Sequence, residues 1–138
     1  MVELINILPK DVTVYFLGAK GDFNLCEQIK SSAQNKDTIN LCGKLSFLES
    51  AALMKDAAMN YVNDSAPLHI ASAMNAKVTA FFCSTVPAFG FGPLGNNATV
   101  VQTKENLSCR PCGLHGYKAC PLGHFNCAEK IELKELNF

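Results

Sequence analysis

Asp64-Ser65-Ala66-Pro67-Leu68-His69 puts a carboxylate, a hydroxyl and an imidazole within six residues around a proline. A carboxylate accepts hydrogen bonds from vicinal sugar hydroxyls, and an imidazole can donate to an anionic oxygen. The apolar run Ala58–Asn63 before the segment predicts a short buried strand, and the Ala-rich stretch Ile70–Asn75 after it predicts a helix. Pro near the first helical position marks the helix start. Such a terminus presents unpaired N–H groups and the positive end of the helix dipole, which suits a diphosphate. The same residues also serve as an ordinary helix cap, because Ser and Asp are preferred there. Both readings stand on these residues alone.

Four of the seven cysteines form a second candidate group. Cys109, Cys112, Cys120 and Cys127 follow the pattern Cys-x2-Cys-x7-Cys-x6-Cys, with His115 and His124 between them. A Cys-x2-Cys knuckle with two further thiols is compatible with tetrahedral zinc, or with an iron–sulfur cluster of the same ligand count. Free thiols packing a loop, or disulfides in an oxidising compartment, are the alternatives. The two histidines read as surface loop residues while four thiols are available. Cys26, Cys42 and Cys83 read as small buried apolar residues.

The elements that must position these groups follow from hydrophobic pattern. Val12–Leu17, Thr38–Cys42, the 58–63 run, Lys77–Cys83 and Thr99–Gln102 predict five strands. Asp22–Ser31, Ser46–Asp56 and roughly 66–75 predict helices, the second opened by a Ser46/Glu49 capping box. The alternation predicts an α/β fold, a Rossmann-like parallel sheet with flanking helices and right-handed crossovers. The loops after Leu17, Asn63 and Cys83 then share the carboxyl edge of the strands, where such sheets bind ligands. Gly18-Ala19-Lys20-Gly21-Asp22 resembles a Gly-rich phosphate turn but is neither a dinucleotide fingerprint nor a Walker A motif. Residues 84–97 are a Gly/Pro/Asn-rich loop, 103–127 a Cys-rich loop segment and 128–138 a C-terminal helix.

Composition narrows the class. The 138 residues suit one domain, 49% of them are hydrophobic, and 12 basic side chains balance 12 acidic ones. No basic stripe points to nucleic acid. No apolar run approaches the ~18 residues of a transmembrane segment, and the N-terminus lacks signal-peptide design. The expected location is cytoplasmic.

Together these features resemble the C-terminal half of the ADP-heptose:lipopolysaccharide heptosyltransferases, glycosyltransferase family 9, which are two-Rossmann-domain (GT-B) enzymes. The resemblance rests on four features in order. They are the strand ending at Leu17-Gly18 with Asp22 after it, the helix start Leu45-Ser46-Phe47-Leu48-Glu49, the Asp64–His69 segment, and the strand 77–83 running into Ser84-Thr85-Val86-Pro87. Asp64–His69 looks like the family's Asp-Ser/Thr-Gly-Pro-x-His signature, with Ala66 in place of Gly. Ser84–Pro87 looks like its Gly-Pro-Thr-x-Pro loop.

The resemblance implies a nucleotide-sugar donor site. Asp64, Ser65 and Ala66 would contact the donor's sugar and phosphates, and His69 would line the same pocket. Asp22 would hold the nucleotide ribose, and Ser84 and Thr85 would lie at the mouth. It implies a nucleotide-diphosphate sugar, ADP-heptose by family, as donor, and a lipopolysaccharide-core acceptor at the inner membrane face. No cofactor is required for transfer, with zinc at the Cys cluster a separate possibility. In the family an N-terminal acceptor domain supplies the catalytic base. The sequence reading finds no such domain here, so it expects residues 1–138 to be a single donor-binding domain, a fragment inactive alone, with no catalytic residue of its own. Self-association through an exposed apolar face is expected. The alternative reading is a non-catalytic nucleotide- or metal-binding module.

Overall fold

The computed structural model describes residues 1–35 and 37–136. The chain divides into two compact units, Met1–Ser50 with the C-terminal residues from Leu136, and Ala51–Glu135. The sequence reading expects one domain; the division falls inside a helix that the sequence reads as continuous.

The first unit opens with helix α1 (Val2–Ile7), to which the sequence reading assigns no element. It is too short to show a helical period, and it is held by tertiary contacts instead. Leu4 and Ile5 are buried, and the Asn6 side chain accepts the Gln34 N–H at 2.8 Å. Strands β1 (Val14–Phe16) and β2 (Thr38–Asn40) pair in parallel, Val14 opposite Thr38. Between them a 3-10 turn (Lys20–Asp22) leads into helix α2 (Phe23–Ser32). The buried Asn40 fixes β2 to α2: its amide donates to the Phe23 carbonyl at 3.1 Å and to Glu27 Oε1 at 2.8 Å. A buried amide is tolerated because both its protons are used.

Helix α3 (Phe47–Lys55) begins with the expected capping box. The Ser46 N–H donates to Glu49 Oε2 at 2.7 Å, and the Glu49 N–H to Ser46 Oγ at 3.3 Å.

The second unit holds a three-stranded parallel sheet in the order β3 (Asn60–Asn63), β4 (Val78–Phe81), β5 (Ala98–Val101). Asn60 lies opposite Val78, and Val78 opposite Ala98. The central strand is buried along its whole length, and Phe82 just after it is fully buried. That is the continuous apolar run expected of a parallel strand covered on both faces. Helix α4 (Ala66–Ala73) follows β3 directly and buries Leu68 and Ala71. It ends where Asn75 adopts the left-handed conformation, its side chain accepting the Asn96 N–H at 2.8 Å. A 3-10 turn (Pro87–Phe89) sits in the loop after β4.

The C-terminal helix expected over 128–138 is not formed. Helix α5 (Asn126–Glu129) and a 3-10 turn (Leu133–Glu135) occupy its described part, and residues 137–138 lie outside the described residues. The helical run is broken between Glu129 and Leu133. Lys104 and Lys130 pair with Glu132 and Glu105, at 3.7 and 3.8 Å. No helix among the described residues is long and apolar enough to cross a membrane.

Candidate donor site

The turn from β3 to α4 carries Asp64 to the carboxyl edge of the three-stranded sheet. Asp64 continues the ladder through its N–H to the Phe81 carbonyl at 3.2 Å. Its carboxylate accepts the hydroxyl of the buried Thr85 at 2.5 Å. Ser65 occupies the N-cap position of α4 in extended conformation, but its hydroxyl makes no capping bond and lies 3.4 Å from the Asn63 carbonyl. Pro67 has no N–H, and the Leu68 N–H is taken by the Ser65 carbonyl at 2.9 Å. Among the described residues the Ser65 and Ala66 N–H groups have no turn or loop partner. An N-cap residue that does not cap leaves these donors for something else.

Asp64, Ser65, Ala66 and His69 line an open cavity of about 320 Å³. Small-molecule sites begin at about this size. Its remaining lining residues are Phe91, Leu114 and His115, which the sequence reading does not select. Leu114 and His115 come from the Cys-rich segment. The one local sign of them is the pair of glycines around them, Gly113 and Gly116, both at positive φ.

The other expected site residues are not among the residues lining this cavity. Thr85 stands behind Asp64 as its hydrogen-bond donor. Ser84 lies under the Cys-rich segment, its carbonyl accepting the Cys112 N–H at 2.8 Å. Gly116 has φ +73°, where a side chain would be strained, and a Cβ there would come within 2.6 Å of Ser84 Oγ. Asp22 belongs to the first unit and is exposed. Its Oδ2 accepts the Ala19 N–H at 2.8 Å, and a Cβ on Gly18 would meet that same oxygen at 2.9 Å. Gly18 thus lets the acid fold back on its own loop.

Arg110, also unread from sequence, braces the segment. Its Nη2 donates to the carbonyls of Phe82 and Thr85 at 3.2 and 2.7 Å and to Gln102 Oε1 at 2.7 Å.

The zinc expectation for Cys109, Cys112, Cys120 and Cys127 does not find its geometry. The Cys112 thiol donates to the Cys109 carbonyl at 3.3 Å, and Cys120 Sγ accepts the Phe125 N–H at 3.4 Å. Cys109 Sγ stands 4.0 Å from His124 Nε2, and Cys127 is buried. The Cys112 and Cys120 thiols each bond to a local backbone group. Among the described residues no three His, Cys, Asp or Glu side chains are placed to hold a metal ion. The disulfide alternative is not realised either: all four thiols are free. Their environments differ. The Phe125 N–H holds Cys120 below the usual thiol range, while burial pushes Cys127 and Cys83 up.

The fold and site define the class first: an α/β protein of parallel sheets and flanking helices, with an open cavity at a strand's carboxyl edge. Solved structures share this fold. One of Escherichia coli ADP-heptose lps heptosyltransferase II superposes with a TM-score of 0.68 at 21% identity, over 80% of this chain and 36% of that one. One of a glycosyltransferase family 9 protein from Veillonella parvula gives 0.61 at 23% identity, over 70% and 27%. The model of glycosyltransferase family 9 (heptosyltransferase) matches residues 2–118, and the chain belongs to that family. Lipooligosaccharide heptosyltransferase 2 of Campylobacter jejuni is 27% identical over 93% of this chain. Lipopolysaccharide heptosyltransferase 3 of Escherichia coli is 35% identical over 56% of it. The chain spans 40% of the length of the Campylobacter relative and 23% of the Escherichia coli one.

Proposed function

We propose that this chain is the donor-binding half of a heptosyltransferase-like glycosyltransferase. Its ligand is a nucleotide-diphosphate sugar, ADP-heptose by analogy with the relatives, and the acceptor of the whole enzyme is the lipopolysaccharide core. One observation carries this reading. Four of the residues matched to the family's donor signature, Asp64, Ser65, Ala66 and His69, line one cavity at the end of β3. There Asp64, oriented by Thr85, accepts donor hydroxyls, and the N–H groups of Ser65 and Ala66 meet phosphate oxygens. As charge develops on the departing diphosphate, fixed donors of this kind stabilise it. Transfer also needs the acceptor held in line with the anomeric carbon. Assayed by itself, the chain is expected to bind donor without turning it over.

Calorimetric titration with ADP, UDP and GDP tests the reading. Selective ADP binding, weakened at least about tenfold in Asp64→Ala, is the expected result, since a charged hydrogen-bond partner contributes about 1.5–3 kcal/mol. Binding of none of the three would sink it.

A further inference from the structure

Among the described residues the Cys-rich segment has no metal geometry, yet it is pinned firmly against the sheet edge. The Cys112 N–H bonds to the Ser84 carbonyl, Arg110 bonds to the carbonyls of Phe82 and Thr85, and Gly116, at φ +73°, packs closely over Ser84. The segment between those anchors, Gly113–Gly116, carries Leu114 and His115 to the cavity that Asp64 and His69 line from the other side. The His115 ring packs against Phe91, centroids 6.4 Å apart and tilted by 53°. Among the described residues neither ring nitrogen of His115 has a protein hydrogen-bond partner.

The cavity's chemistry is uneven. Its one carboxylate, Asp64, accepts hydrogen bonds and repels anions. No Lys or Arg is among the described lining residues. Among the described lining residues the nitrogen donors on side chains are the imidazoles of His69 and His115. A ligand carrying phosphate must therefore direct its anionic oxygens toward those imidazoles and the α4 backbone, away from Asp64.

We propose that the Cys-rich segment is the outer wall of the donor cavity, and that His115 is a ligand-binding residue whose imidazole N–H donates to a phosphate oxygen of the nucleoside diphosphate. The inference rests on the donor-site reading above. It gives the cysteine segment a role, as a scaffold that holds Gly113–Gly116 in place.

The test titrates ADP into the wild-type chain and into His115→Ala, His115→Gln and Asp64→Ala. His115 is exposed, so its variants are expected to keep the wild-type circular dichroism spectrum and melting temperature. The expected result is about a tenfold weaker Kd for His115→Ala, the scale of one charge-assisted hydrogen bond, with most of it restored by the amide N–H of His115→Gln. If His115→Ala binds ADP within twofold of wild type while Asp64→Ala loses it, the role of His115 is overturned and the donor site survives. Equal losses in both His115 variants would also overturn it, showing that the ring acts by packing on Phe91. No ADP binding by the wild-type chain would overturn both readings.

Discussion

Strand β4 of the unit Ala51–Glu135 buries every residue, whereas β1 and β2 of Met1–Ser50 leave Tyr15 45% and Ile39 39% exposed. Helix α2 of the first unit has no buried residue, while α4 of the second buries Leu68 and Ala71 completely. The first unit compensates with side-chain bonds to backbone from Asn6, Asn35 and Asn40. Such bonds each contribute about 1 kcal/mol net, against about 1.5–3 for burying a large apolar side chain. The candidate site is built on the unit with the stronger core. A binding cluster needs its residues held by packing, and Asp64 and α4 start from a sheet whose central strand is enclosed.

The largest effect should come from cutting into that core. Phe82→Ala, at a fully buried position, should destabilise the second unit by about 3–5 kcal/mol. Ile39→Ala, on the exposed side of β2, should cost less than about 1 kcal/mol. Native-state amide hydrogen exchange reads the two units separately: β4 amides should lose protection in the first variant, and β2 amides should barely change in the second. Comparable losses would erase the contrast in packing.

Thiol chemistry sharpens the comparison at smaller scale. In the first unit Cys42 lies 3.4 Å from Cys26, and burial, reinforced by Cys26, pushes its pKa up to about 12. In the second unit the Phe125 N–H stabilises the Cys120 thiolate and lowers its pKa. The thiolate is the species that reacts. At pH 8, iodoacetamide followed by peptide mass mapping should label Cys120 faster than Cys42 by on the order of a hundredfold or more. Equal rates would show that the two environments are not distinct.

The same contrast governs how much was legible in the sequence. The strands at 12–17, 58–63 and 77–83 and the helix after Asn63 announce themselves through contiguous apolar runs and a Pro-marked start, and each forms within a few residues of its expected bounds. Asp64 to His69 could be read together because one βα turn places them. Helix α1 could not, since six residues show no period and tertiary burial of Leu4 and Ile5 decides it. Phe91, Leu114 and His115 reach the cavity through long-range fixtures: a backbone bond from Cys112 to Ser84, and a glycine packed on a serine. These leave no periodic trace. The cysteine spacing pointed to a metal chemistry for which no group of ligands is placed among the described residues.

The smallest effect lies at the start of α3, where stability depends on a local cap more than on burial. Ser46→Ala removes a side-chain cap and should cost about 0.5–2 kcal/mol. Glu49 accepts both the N–H and the hydroxyl of Ser46, and these bonds lower its pKa. A carboxyl whose pKa is lower folded than unfolded stabilises the folded state once it is ionised. Its contribution is fully present above the unfolded value of about 4.3 and is lost as pH falls through the lower folded value. Glu49→Gln should therefore be less stable than wild type at pH 7, and the two should converge in acid below the folded pKa. Urea denaturation of both proteins across pH 2.5–7 checks this. A gap that widened on acidification would mean that Glu49 is repelled at the helix start, and that the first unit draws nothing from the cap.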